Sequence, residues 1–185
     1  MMKRILALLF CLLLLLPLAS CGKTVTDEEA LAILRERIEA SYELNRIYFG
    51  EGLRTDPYED NGEVFQYVFV AMDEKYQSIV DLKAATEAVF SPALCAKLYE
   101  KAFTGVDDGQ VILYARYLEQ GGVLSADVKY KGIKTAEDFL FDTARVAENT
   151  KNYVVFYIGR ADGSEVRLEL TRTPDGRWLL NSYTY

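Results

Sequence analysis

Polar and apolar positions change their period along the chain, and each change predicts an element. An unbroken apolar run at 5–16 follows Lys3 and Arg4; it is too short to span a bilayer comfortably and reads as an export signal over 1–20. After Thr26 the apolar residues fall three or four apart, at Leu31, Leu34, Ile38, Tyr42 and then Tyr48 or Phe49, with Asn45 as the one polar member of the stripe. That spacing predicts a long helix with one face on a core. Thr26 and Glu29 have the spacing of a capping box, in which each side chain serves the other residue's main-chain N–H, and Gly50 and Gly52 end the helix. Asn45 is expected to be a satisfied buried amide.

Two shorter helices are predicted next. Ser78 caps one over about 79–89, buried through Ile79, Leu82, Ala85, Ala88 and Val89. Ser91-Pro92 supplies the cap and first residue of the other, where proline's missing N–H is not needed, and Leu94, Cys95, Leu98, Tyr99 and Phe103 carry it to Gly105. Between the first two helices lie an acidic, turn-rich loop at 56–63 and a short strand at 64–70. From Asp107-Asp108-Gly109 onward the period becomes two, predicting strands at 111–118, 124–130, 139–147, 153–160, 165–172 and 178–185. Val166, Leu168 and Leu170 face one side while Glu165, Arg167 and Glu169 face the other. Gln120-Gly121-Gly122, Asp162-Gly163 and Pro174-Asp175-Gly176 make the turns. The expected class is α+β, with the helices covering the inner face of one curved antiparallel meander, because they are the only cover available.

Charge and cysteine usage narrow the chemistry. The whole chain carries a net charge of -7, and losing Lys3 and Arg4 with the signal takes it to -9. Phosphate binding needs clustered Lys and Arg, so this balance argues against nucleic acid as a partner. Of the three cysteines, Cys11 leaves with the signal and Cys21 borders it, so Cys95 stands alone and no intrachain disulfide is expected. Cys95 lies in an apolar helical pattern and reads as a buried structural thiol. The chain has no histidine, which weakens catalytic triads, cysteine–histidine pairs and common zinc sites together; no metal or cofactor is expected.

The apolar segment ends in Leu18-Ala19-Ser20-Cys21, which closely resembles the lipobox of bacterial lipoproteins. The resemblance implies that Cys21 is lipidated on sulfur and begins the mature protein, that 21–25 is a tether to a single domain at 26–185, and that the domain works outside the cytoplasm, held to the cell membrane by its lipid. The order of elements over 26–185 looks like the cone-shaped fold of the nuclear transport factor 2 superfamily or its cystatin-like relatives. Asp81-Leu82-Lys83, Val89-Phe90-Ser91-Pro92, Leu98-Tyr99 and Asp107-Asp108-Gly109 before Leu113-Tyr114 are similar to the IseA-type inhibitors of cell-wall DL-endopeptidases. That likeness covers about 35 residues and departs from the family pattern at Gln110-Val111-Ile112; it implies an exposed loop that blocks a cysteine peptidase.

The candidate recognition element is the acidic loop, through Asp56, Tyr58, Glu59, Asp60 and Glu63; a solvated connection is its competing reading. An isomerase-like use of a cone's interior would draw on Asp127, Asp142 or Glu148 with Tyr114, Tyr130 or Tyr157. No spacing singles out a pair, and acids alternating along strands mark a solvent face, so no catalytic residue is assigned. Trp178, Tyr183 and Tyr185 form either an aromatic binding patch or ordinary core and edge packing. The expected role is therefore a membrane-anchored, non-enzymatic binding module with a cell-envelope protein as partner; the rival is a small-ligand carrier or enzyme using an interior pocket.

Overall fold

The computed structural model describes residues 24–104, 106–107, 112–113, 115–133, 135 and 138–185. The stretch read as a signal, Cys21 and the first residues of the expected tether, together with Asp108 to Val111 and Tyr114, lie outside the described residues. Helices and antiparallel sheets make an α+β fold. Helix α1 spans Asp27–Tyr48 and begins with the predicted capping box: the Glu29 N–H donates to Thr26 Oγ1 at 3.2 Å and the Thr26 N–H donates to Glu29 Oε2 at 2.8 Å. Ala30, Leu34, Ile38, Leu44 and Ile47 form its buried stripe. Helix α2, Ile79–Glu87, is capped by Ser78, and α3, Pro92–Tyr99, by Ser91; a wider π turn at Glu100–Thr104 continues α3. Among the described residues no helix is long and apolar enough to cross a membrane.

The strands form two larger sheets and a small hairpin, not the single meander expected. Strands β1 (Tyr67–Phe69), β4 (Tyr117–Gln120) and β5 (Val123–Asp127) make one antiparallel sheet in the order β1-β5-β4. Strands β2 (Val106–Asp107) and β3 (Ile112–Leu113) form the hairpin. Strands β6 (Phe139–Asn149), β7 (Tyr153–Arg160), β8 (Glu165–Arg172) and β9 (Trp178–Leu180) make the second sheet in sequence order. The expected strand at 111–118 is thus split between β3 and β4, the one at 64–70 shrinks to its end, and the one at 178–185 stops at Leu180. The cause of the last is visible: Asn181 turns back to β8, its N–H donating to the Glu169 carbonyl at 2.8 Å, and the tail crosses to α1.

That crossing is held by a buried polar cluster. The Asn45 amide donates to Thr184 Oγ1 at 2.8 Å and to the Thr184 carbonyl at 3.2 Å, and the Ser41 and Thr184 hydroxyls lie 2.6 Å apart. Asn45 is the satisfied amide its position implies. The main core lies between α1 and the β6–β9 sheet: Val154, Phe156, Ile158, Leu168, Leu170 and Leu180 share the inner face with Leu34 and Ile38 in one apolar cluster. Fully burying side chains of this size contributes about 1.5–3 kcal/mol each before entropy opposes it. The β9 edge is covered where α2 passes into α3, with the Ser91 N–H donating to the Leu180 carbonyl and the Leu180 N–H to that of Val89.

Candidate functional site

A 22-residue helix is about 33 Å long, so α1 gives the molecule two ends. At its first turn, the Asn149 amide at the end of β6 donates to the Val25 carbonyl at 2.9 Å and to Asp27 Oδ1 at 2.8 Å, pinning the residues before α1 to the β6–β9 sheet. At its last turn the helix meets the β1-β5-β4 sheet, and the candidate site forms there.

The last carbonyls of a helix have no partners within it. Here side chains from the neighbouring sheet supply them: Tyr117 donates through its hydroxyl to the Ile47 carbonyl at 2.8 Å, and Arg116 donates through Nη1 to that of Tyr48 at 2.9 Å and through Nη2 to that of Gly50 at 2.6 Å. A guanidinium at this negative end of the helix dipole is favourably placed. Arg116 is 4% exposed, and its outer face is covered by the Tyr130 ring at 4.0 Å. Gly52 lets the chain pass this pair. Its φ of +89° suits glycine, and a Cβ there would lie 2.7 Å from Arg116 Nη2.

Over these groups opens a cleft of about 230 Å³, lined by Arg54, Tyr58, Arg116, Asp127 and Tyr130 among others. The acidic loop contributes Tyr58 to its lining. Asp56, Tyr58, Glu59, Asp60 and Glu63 are all exposed, as a recognition element requires. The loop is nevertheless tied down by its own turn and by residues outside it. Gln66 donates to the Glu59 carbonyl at 2.8 Å and accepts from the Asn61 N–H at 3.2 Å, and Asp60 accepts from the Gly62 N–H while pairing with Lys129. The Lys129 ammonium, then the Gly62 N–H, holds the Asp60 carboxyl below its ordinary range.

Two other tyrosines extend this end. Tyr183 and Tyr185 pack on Phe49 with ring centroids at 5.9 and 4.0 Å, and burial, with Tyr130 nearby, pushes the Tyr185 phenol up. Trp178 takes the packing alternative: it begins β9 and is buried beneath Arg172. The three aromatics do not form one surface.

The acid and phenol groups considered for catalysis do not converge. Asp127 Oδ1 accepts from the Gln66 and Lys129 N–H groups, each at 3.0 Å, so it fixes the turn after β5. Asp142 and Glu148 are exposed on the outer face of β6; Glu148 accepts from the Tyr153 hydroxyl, and Tyr157 lies under Arg145 at 4.5 Å. Among the described residues, buried apolar side chains of α1, β7 and β8 share one cluster. Among the described residues no His, Cys, Asp and Glu cluster could hold a metal ion. Cys95 is buried, its thiol donating to the Phe90 carbonyl at 3.4 Å, and burial pushes it above its ordinary value, so it stays a protonated packing group. Phe90 and Ser91 are packing positions too: Phe90 is buried in the core, and Ser91 caps α3 and donates to Asn181 Oδ1 at 2.6 Å.

Sequence reasoning missed Arg116. One signal marked it: a lone cation inside the apolar stretch Ala115-Arg116-Tyr117-Leu118, where a buried charge needs a specific partner. No protein-family model matches the chain, and no curated protein matches it.

Proposed function

We propose that the chain is a lipid-anchored, extracytoplasmic binding module, without catalysis of its own, that engages a cell-envelope protein through the Arg116 cleft and the acidic loop beside it. The observation that carries this reading is the position of the two ends. The tether is pinned at the start of α1, while the exposed, ordered acidic loop and its tyrosine-lined cleft lie at the other end, about 33 Å away. A module anchored at Cys21 then presents its binding end away from the membrane. Tyr58 and Tyr130 offer contact area at small entropic cost, and the acids around them favour a partner with a basic patch.

The finer version is regulation of a cell-wall hydrolase by a fold of the cone type. Its support is the short IseA-like stretch and the packing of one long helix across a bulged antiparallel sheet. Incubating the detergent-extracted chain with a panel of envelope peptidases tests the reading. Binding in the micromolar range or tighter, lost when Glu59 and Asp60 are both changed to Lys, is expected. No binding and no inhibition across the panel, or binding unaffected by those changes, contradicts it.

A further inference from the structure

The acidic loop holds the chain's one Asn-Gly pair, Asn61-Gly62, and both residues are exposed. The other asparagines precede Arg46, Thr150, Tyr153 and Ser182, each of which carries a side chain that crowds its own main-chain nitrogen. Gly62 has no such group: its φ is +76°, and a Cβ built there would meet nothing within 4 Å. The hydrogen bonds around the pair are equally specific. The Gly62 N–H donates to Asp60 Oδ1 at 2.7 Å, and the Glu63 N–H donates to Asn61 Oδ1 at 2.9 Å. The Asn61 N–H is fixed on Gln66 Oε1 at 3.2 Å, whereas among the described residues no hydrogen bond holds Asn61 Nδ2. By contrast, the side-chain amides of Asn45, Asn149 and Asn181 are each engaged as donors, to Thr184, Val25 and Glu169.

We propose that Asn61 is a site of covalent self-modification, at which the Gly62 main-chain nitrogen closes on the Asn61 side chain and the side-chain amide is lost as ammonia. The Gly62 nitrogen gives its proton to Asp60 Oδ1, which already accepts that hydrogen, and from there to water. The nitrogen bonds to Asn61 Cγ, and the displaced electron pair moves onto Oδ1, where the Glu63 N–H receives the charge. The Cγ–Nδ2 bond then breaks, and Nδ2 takes a proton from water and leaves as ammonia. Water adds to either carbonyl of the resulting succinimide and opens it, to an aspartate or to an isoaspartate. Nothing is oxidised or reduced; water enters, ammonia leaves, and an amide becomes a carboxylate. Holding reacting groups side by side in a turn favours such a closure. Each conversion adds a negative charge next to Asp60, and the isoaspartate product adds a carbon to the main chain between the N–H groups that Gln66 and Asp60 hold. The loop becomes more acidic as the protein ages. That change falls on the surface assigned above to a basic partner, but the chemistry does not depend on that assignment.

Peptide mapping of the full chain, kept folded in neutral buffer for several weeks, tests this. The peptide carrying Asn61 is followed by mass, for the small gain of an amide turned acid, and by chromatography, which separates aspartate from isoaspartate. Conversion at Asn61 to both products is expected, with Asn45, Asn149, Asn152 and Asn181 unchanged. A Cβ at the left-handed Gly62 position crowds the attacking nitrogen, so Gly62→Ala is expected to slow the conversion about tenfold. An Asn61 that stays an amide in the folded chain overturns the proposal, as does conversion spread evenly over the other asparagines. Aspartate as the sole product, or an unchanged rate in Gly62→Ala, means direct attack by water and overturns the ring-closing route. Whether the loop meets a basic partner is read separately, from the peptidase panel.

Discussion

At the scale of single residues, the side chains that decide the fold are polar ones placed where apolar ones would be expected. Asn45 closes a buried cluster with Ser41 and Thr184 that ties the tail of the chain to α1, and its polarity in an apolar stripe announced it. Replacing it with Ala leaves the Thr184 hydroxyl and carbonyl short of a donor. Asn45→Ala is expected to destabilise the chain by about 1–3 kcal/mol, read as a lower midpoint in urea unfolding with an unchanged slope. Arg116 was harder to foresee. Its partners are main-chain carbonyls 66 and 68 residues earlier, and no local pattern encodes a contact of that range.

Among elements, helices were more legible than strands. Caps and glycine stops are local, so α1, α2 and α3 begin where Thr26, Ser78 and Ser91 place them. Strand limits depend on which neighbour pairs with each residue. The stretch at 111–118 is apolar almost throughout, with no local break, yet its first half pairs with Val106 and Asp107 and its second with β5. The acidic loop was legible as turn-rich and exposed, but its order depends on Lys129, far along the chain. Because the Asp60 carboxyl is held below its ordinary value, its contact stabilises the loop above the unfolded-state pKa of about 4 and is lost as pH falls through the lower folded value. Acidification below about pH 4 is expected to shift the Gly62 amide resonance while core amides stay fixed. An Asp60→Asn variant should show that loop state already at neutral pH.

For the whole molecule, the decisive feature is a long helix whose entry at Val25 is pinned at one end and which meets a cleft at the other. The α+β class followed from the change of period, since an apolar sheet face demands cover. The division into two sheets did not follow, because no local pattern marks where one sheet stops and only long-range pairing separates them. The proposed anchor at Cys21, which rests on the resemblance of Leu18-Ala19-Ser20-Cys21 to a lipobox, would give this polarity its meaning. Two or more acyl chains hold a protein firmly where one is marginal, so a diacylated Cys21 would confine the domain to the membrane surface with its acidic loop outermost. The most direct measurement is the intact mass of the chain extracted from cell membranes, alongside Cys21→Ser. The account predicts a mature chain beginning at Cys21 with diacylglyceryl mass added, and a Cys21→Ser variant that folds but carries no lipid and is released or mislocalised. A wild-type chain without added lipid mass, or a signal-free Cys21→Ser variant retained in the membrane like wild type, would contradict it.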